Sequence, residues 1–235
     1  MTRRRWMADE FSGDRASLTG AHAEHLARVL RAQVGQEFEI ATGGDVRRGK
    51  VVSVADNRVE FSLGEQVEST PTFDITLLLS IFKFDRMEWA IEKCTELGVA
   101  RIIPVIAQRT EKHLASAAAK RVERWQRIAR QAAEQSRRTS CPEIAQPLKL
   151  KDAAALPGSC RIVLSETEKR VRLVDLLPDE GEFAMAFGPE GGWTGSEIEL
   201  FHHRGWKPAS LGGTILRVET AAVAAMAVAV SRRGG

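Results

Sequence analysis

Apolar and polar positions change rhythm twice along this chain. Across 21–31, His25, Leu26, Val29 and Leu30 recur at the spacing of one helical face, which predicts a short helix. After Gly35 the rhythm shortens. Segments 37–41, 50–54 and 58–63 read as β-strands, punctuated by Thr42-Gly43-Gly44-Asp45 and Ala55-Asp56-Asn57. Short strands joined by tight turns predict a small antiparallel barrel. Residues 68–72 form a polar break, so the expected domains are 1–70 and 73–235.

Beyond the break, strongly apolar strands alternate with helical patterns. The strands expected are 75–82, 101–107, 161–165, 183–187 and 209–211. Continuous apolar runs fit strands buried on both faces, hence an α/β fold with a mostly parallel sheet. Asp85 with Glu88, and Thr194 with Glu197, have capping-box spacing, and Gly98 is placed to end the first of these helices.

Composition narrows the class. With 43% hydrophobic and 28% charged residues the chain reads as an ordinary globular protein. The most apolar stretch, 221–230, is too short and too alanine-rich to span a bilayer, and Trp6-Met7-Ala8-Asp9-Glu10 follows the N-terminal arginines at once. No membrane partner is expected, and the location expected is cytoplasmic. Cys94, Cys141 and Cys160 are scattered with no Cys-x-x-Cys pair, while His22/His25 and His202/His203 lack nearby ligands, so no metal site is expected. Charge is uneven. Residues 83–151 carry 15 Lys/Arg against 8 Asp/Glu in a protein of net charge +3, which points to a local polyanion-binding face.

Candidate chemistry lies in two loops. Gly188-Pro189-Glu190-Gly191-Gly192-Trp193 follows a predicted strand and precedes a capped helix. Its glycines let the backbone approach a ligand, although a plain strand-to-helix turn is an equal reading. It is neither a P-loop nor a Gly-x-Gly-x-x-Gly loop. The second loop, Leu211-Gly212-Gly213-Thr214-Ile215-Leu216-Arg217, leads through Glu219 into a helix of small residues. Arg217 and Glu219 read either as site residues or as a solvated pair at a helix start.

Taken together these two loops resemble the SPOUT class of methyltransferases, and within it the bacterial family that makes N3-methyluridine in 16S ribosomal RNA. Further pieces in order carry the resemblance: Arg4-Arg5-Trp6; His25 with Val29-Leu30-Arg31; Lys93-x-Thr95-Glu96-Leu97-Gly98-Val99 with Ile103-Pro104; Arg124-Trp125 with Ile128; and Glu134-Gln135-Ser136-x-Arg138. Trp6 replaces the more usual phenylalanine, and Gly213-Thr214 replaces the commoner proline and arginine.

The resemblance implies a PUA-like N-terminal barrel that binds RNA and a C-terminal SPOUT domain with a deep trefoil knot. It implies a homodimer whose active sites are completed across the interface, acting on 16S RNA or the small ribosomal subunit. S-adenosylmethionine would lie among Leu164, Ser165, Glu166, Gly188, Pro189, Glu190, Gly191, Gly192, Leu211, Gly212, Ile215, Leu216 and Arg217. Arg217 would stabilise the uracil anion, and Glu219 or Glu190 would accept its proton, with water as the alternative acceptor.

RNA phosphates would meet Lys120, Arg124, Arg127 and Arg138, which share one face of a predicted amphipathic helix, with Lys112 beside it. Arg3, Arg4, Arg5 and Arg31 are further candidates. Two other readings remain open: a SPOUT enzyme acting on another RNA position, and a non-catalytic RNA-binding or ribosome-assembly protein.

Overall fold

Alternation along 58–63 has a direct physical outcome, with Val59, Phe61 and Leu63 inside and the residues between them half-exposed. In the computed structural model, which describes residues 4–69 and 73–234, the chain divides into two units. The first holds the described residues up to 69 together with Gln131–Cys141. Its strands are β1 (Trp6–Met7), β2 (Glu10–Ser12), β3 (Arg15–Thr19), β4 (Glu37–Ala41), β5 (Val46–Ala55) and β6 (Arg58–Gln66). They run in the order β1-β4-β5-β6-β3-β2, antiparallel except for the β1–β4 pair. This curled sheet encloses Trp6, Leu18, Leu26, Ile40 and Phe61, all fully buried.

The helix expected over 21–31 is shorter and composite. Helix α1 (Gly20–Glu24) passes into a π-helical turn, His25–Val29, where the Leu30 N–H reaches the His25 carbonyl at 3.1 Å. Arg31, with φ +51°, ends it in the left-handed region. Two arginines expected to meet RNA are committed within this unit. Arg5 is 4% exposed and pairs with Glu39 at 3.0 Å, and Arg4 pairs with the wholly buried Glu134. Arg3 lies outside the described residues.

The second unit covers the described residues of 73–130 and 142–234. Here β7 (Ile75–Ser80), α2 (Phe84–Glu96), β8 (Arg101–Ile106), α3 (Lys112–Ala117) and α4 (Val122–Gln135) come first, α4 running on into the residues grouped with the first unit. Then follow β9 (Glu143–Ile144), β10 (Leu148–Lys149), α5 (Leu150–Ala153), β11 (Cys160–Leu164), α6 (Leu173–Leu176), β12 (Phe183–Phe187), α7 (Gly195–His203), β13 (Lys207–Ala209) and α8 (Val218–Gly234). Strand order is β10-β8-β7-β12-β11-β13, with β9 also on β8, and every pair is parallel.

Both faces of this sheet are covered, as the apolar runs required. Ile75, Leu77, Leu79, Met185 and Phe187 pack with Met87 and Ile91 of α2, Trp125 of α4 and Met226 of α8. Leu78, Val163 and Ala186 point the other way, toward Phe201 of α7, Trp206 and Ala153 of α5. No helix among the described residues is long and apolar enough to cross a membrane.

Two expectations are corrected here. Asp85 does not cap α2: Lys83 is the N-cap without a side-chain cap bond, and Asp85 lies inside the first turn. The strand expected at 209–211 lies at Lys207–Ala209, because Leu211-Gly212 has already turned away toward the site. Within the first unit, Ala133 packs with Met7, Ala41 and Val46. Gly98 does end α2. At φ +94° it lets the Val99 N–H reach the Cys94 carbonyl at 3.1 Å, closing a Schellman turn.

Candidate active site

Parallel pairing sends the carboxyl ends of β7, β12, β11 and β13 to one edge of the sheet, where ligands of open α/β folds bind. The segments leaving β11, β12 and β13, with Arg86 from the helix after β7, surround a cavity of about 630 Å³. Leu164, Ser165 and Glu166 line it after β11; Gly188, Pro189, Glu190 and Gly192 after β12; Leu211, Gly212, Ile215, Leu216 and Arg217 after β13. Of the positions expected to hold cofactor, Gly191 alone is not in the lining. A Cβ there would meet Arg109 Cδ at 3.2 Å, so Gly191 faces the adjoining loop instead.

The glycine loop is held from several sides. Trp193 donates its indole N–H to the Leu164 carbonyl at 3.0 Å, tying the loop to the end of β11. Arg109 donates to the carbonyls of Gly191 and Trp193. Within the loop the Gly192 N–H closes a turn on the Pro189 carbonyl at 2.8 Å. Gly192 has φ +69°, and a Cβ on it would stand 2.8 Å from Glu166 Oε1, so two constraints select glycine there.

Thr194 and Glu197 form the expected capping box at the start of α7, and Glu197 also accepts the Gln108 N–H at 2.7 Å. Thr194→Ala is therefore expected to lower stability by about 1 kcal/mol, read as a lower urea midpoint.

The charges converge from separate elements. Glu219, in the first turn of α8, is only 9% exposed. Arg86, in the first turn of α2, bonds Glu190 Oε1 at 3.2 Å and pairs with Glu219 Oε1 at 3.7 Å. Arg217 is exposed at the cavity rim and has no ion-pair partner among the described residues. Ile215, 82% exposed, stands at the mouth, with Leu164, Leu211 and Leu216 further in. Sequence reasoning missed Arg86, because only the β7–β12 pairing brings it beside a loop about a hundred residues away. Trp193 was read as the end of the glycine motif but given no role.

The expected RNA contacts divide. Lys112, Lys120, Arg124 and Arg127 are exposed, while Val122, Trp125 and Ala129 form the buried side of α4. Arg124 is engaged by both Glu88 oxygens, at 2.6 and 2.8 Å. Arg31 is exposed. The placement of Arg138 on this helical face is corrected: α4 stops at Gln135 and Arg137 turns left-handed, so Arg138 leaves the face. It is 8% exposed, and burial pulls its pKa down to about 10. Among the described residues no cluster of three metal-ligating side chains occurs.

Comparison with known proteins agrees with this geometry. The family model of the RNA methyltransferase domain matches residues 68–230. Ribosomal RNA small subunit methyltransferase E of Synechocystis is 34% identical over 90% of this chain and 71% of its own length. The same-named protein of Aquifex aeolicus is 30% identical over 94% of this chain and 96% of its own. Among solved structures, ribosomal RNA small subunit methyltransferase E of Neisseria gonorrhoeae, bound to S-adenosylmethionine, superposes with a TM-score of 0.85 at 30% identity, covering 95% of each chain. The chain thus belongs to the RNA methyltransferase family of ribosomal RNA small subunit methyltransferase E.

Proposed function

We propose that this chain transfers a methyl group from S-adenosylmethionine to N3 of a uridine in small-subunit (16S) ribosomal RNA. The observation that carries the reading is the cavity itself, where two glycine-rich loops, Arg217 and the buried Glu219 meet at the carboxyl edge of a parallel sheet. Its residues fit the cofactor chemically. Leu164, Leu211, Ile215 and Leu216 offer apolar surface to an adenine. Glu166, Glu190, Glu199 and Glu219 outnumber Arg86 and Arg217 in the lining, which favours a cationic sulfonium.

When bound, S-adenosylmethionine supplies an electrophilic methyl group. The remaining work falls to the chain. Arg217 stabilises negative charge on the uracil as N3 loses its proton, since guanidinium stays charged. A carboxylate beside it takes that proton. The N-terminal unit acts as a PUA-like RNA-binding domain, 1–70 and 73–235 being its domain and the SPOUT domain. Hydrogen bonds join Ser210 to Val171 and Leu173, and Ser165 to Ala209, and this close packing of segments supports the trefoil knot. The working unit is a cytoplasmic homodimer; the partly exposed Val223, Ala227 and Val228 of α8 support pairing.

RNA phosphates meet Lys112, Lys120 and Arg127. Lys120→Ala with Arg127→Ala is expected to weaken binding to any RNA of this region and to reduce the salt slope of log affinity by roughly one per residue removed. Filter binding at several salt concentrations reads both. Calorimetric titration of S-adenosylmethionine into the folded protein tests the cofactor site: saturable one-to-one binding supports the reading, and no heat from folded protein counts against it.

A further inference from the structure

Arg86 touches both carboxylates to which the resemblance gave one proton-accepting role, yet no motif singled it out. Its Nη1 bonds Glu190 Oε1 at 3.2 Å and its Nε lies 3.7 Å from Glu219 Oε1. The two partners differ. Glu190 is exposed, whereas Glu219 is 9% exposed and its Oε2 is buried with no hydrogen-bond partner among the described residues. An acceptor left in that state loses its hydration without compensation, so native interiors rarely keep one that no ligand completes. Both residues line the cavity.

Resting on the methyltransferase reading, we propose that Arg86 is a positioning residue: it holds Glu219 Oε1 so that Oε2 accepts the N3–H of the target base, while Glu190 serves as the second anchor of the guanidinium. In the balanced step, Glu219 Oε2 takes the N3 proton and the N3 electron pair forms the bond to the methyl carbon. The sulfur–methyl bond breaks with its pair kept on sulfur, so a carboxylate and a sulfonium become a carboxylic acid and a thioether. Other charged groups around the cavity are Glu166 after β11, Glu199 on α7, and Arg217 before α8. Among the described residues only Arg86 pairs with Glu219.

The test compares wild type with Arg86→Gln, Arg86→Lys, Glu219→Gln and Glu190→Gln, each checked for folding by thermal melting. Single-turnover methylation of ribosomal RNA and calorimetric binding of S-adenosylmethionine are measured on the same proteins. In Arg86→Gln the rate should fall about tenfold or more with cofactor affinity unchanged, and Arg86→Lys should recover most of it. Glu219→Gln should lose nearly all of the rate, Arg86→Gln added to it should lower the rate no further, and Glu190→Gln should keep most of the rate.

An Arg86→Gln rate equal to wild type overturns the proposal, as does a rate lost in Glu190→Gln and kept in Glu219→Gln, or a loss in the double variant equal to the two single losses combined. Failure of the underlying reading looks different: wild type would not methylate RNA at all, whatever stands at position 86.

Discussion

Arg217→Ala enzyme is expected to fold and to bind S-adenosylmethionine, yet to methylate ribosomal RNA about a hundredfold or more slowly in single turnover. Arg217 is exposed at the cavity rim and has no ion-pair partner among the described residues, so its charge is not spent on the fold. That contrasts with Arg86, Arg109 and Arg124, each bonded to a carboxylate or to loop carbonyls. A cation placed where negative charge develops acts on the transition state more than on the ground state, and losing one such donor typically costs about 2.7–4 kcal/mol. Arg217→Lys should keep part of the rate, since a point charge remains while the planar fork is lost. A fall in cofactor affinity at unchanged rate would assign Arg217 to cofactor binding instead.

The second large effect is expected at Gly192. Gly192→Val puts a β-branched side chain at φ +69° and drives its Cβ to within 2.8 Å of Glu166 Oε1. Strain of this kind costs on the order of 1–3 kcal/mol, and the loop can relieve it only by leaving the turn on Pro189. Because Gly188, Pro189 and Glu190 line the cavity through that turn, cofactor affinity should fall about a hundredfold, roughly 2.7 kcal/mol by calorimetry. Gly191→Ala should do much less, since a methyl there meets only the flexible stem of Arg109. Equal losses at both positions would mean that the loop responds to any added bulk.

Legibility followed the strength of each local signal. Segments 37–41 and 183–187 were read at the limits at which β4 and β12 occur, because apolar runs bounded by turn residues leave few alternatives. Strands β1, β2 and β3 escaped notice. β1 and β2 have two and three residues, too few for a period to show, and β1 is held in place by pairing with Ile40 and Ala41. Arg138 was misplaced by extending a helical wheel past Gln135, since nothing in the local pattern announces the left-handed Arg137. The pairing of Arg5 was not legible because its partner, Glu39, is remote in sequence.

The site was legible as loops but not as a constellation. Both glycine-rich segments stood out because close backbone approach limits the residues allowed. Their joining into one cavity depends on β11 lying between β12 and β13, which sequence order does not reveal. Arg86 depends on the same topology, reaching Glu190 and Glu219 from the start of α2. Long-range parallel pairing therefore decides which charged groups share the site.

The most direct test is product identification. Unmodified small-subunit ribosomal RNA would be incubated with the purified protein and methyl-labelled S-adenosylmethionine, then digested to nucleosides and resolved by mass spectrometry. The account predicts label in N3-methyluridine alone, abolished in Glu219→Gln and strongly reduced in Arg217→Ala. Label in a ribose 2′-O-methyl nucleoside or on another base would contradict the assigned chemistry, and absence of label from RNA and intact subunits alike would contradict methyl transfer itself.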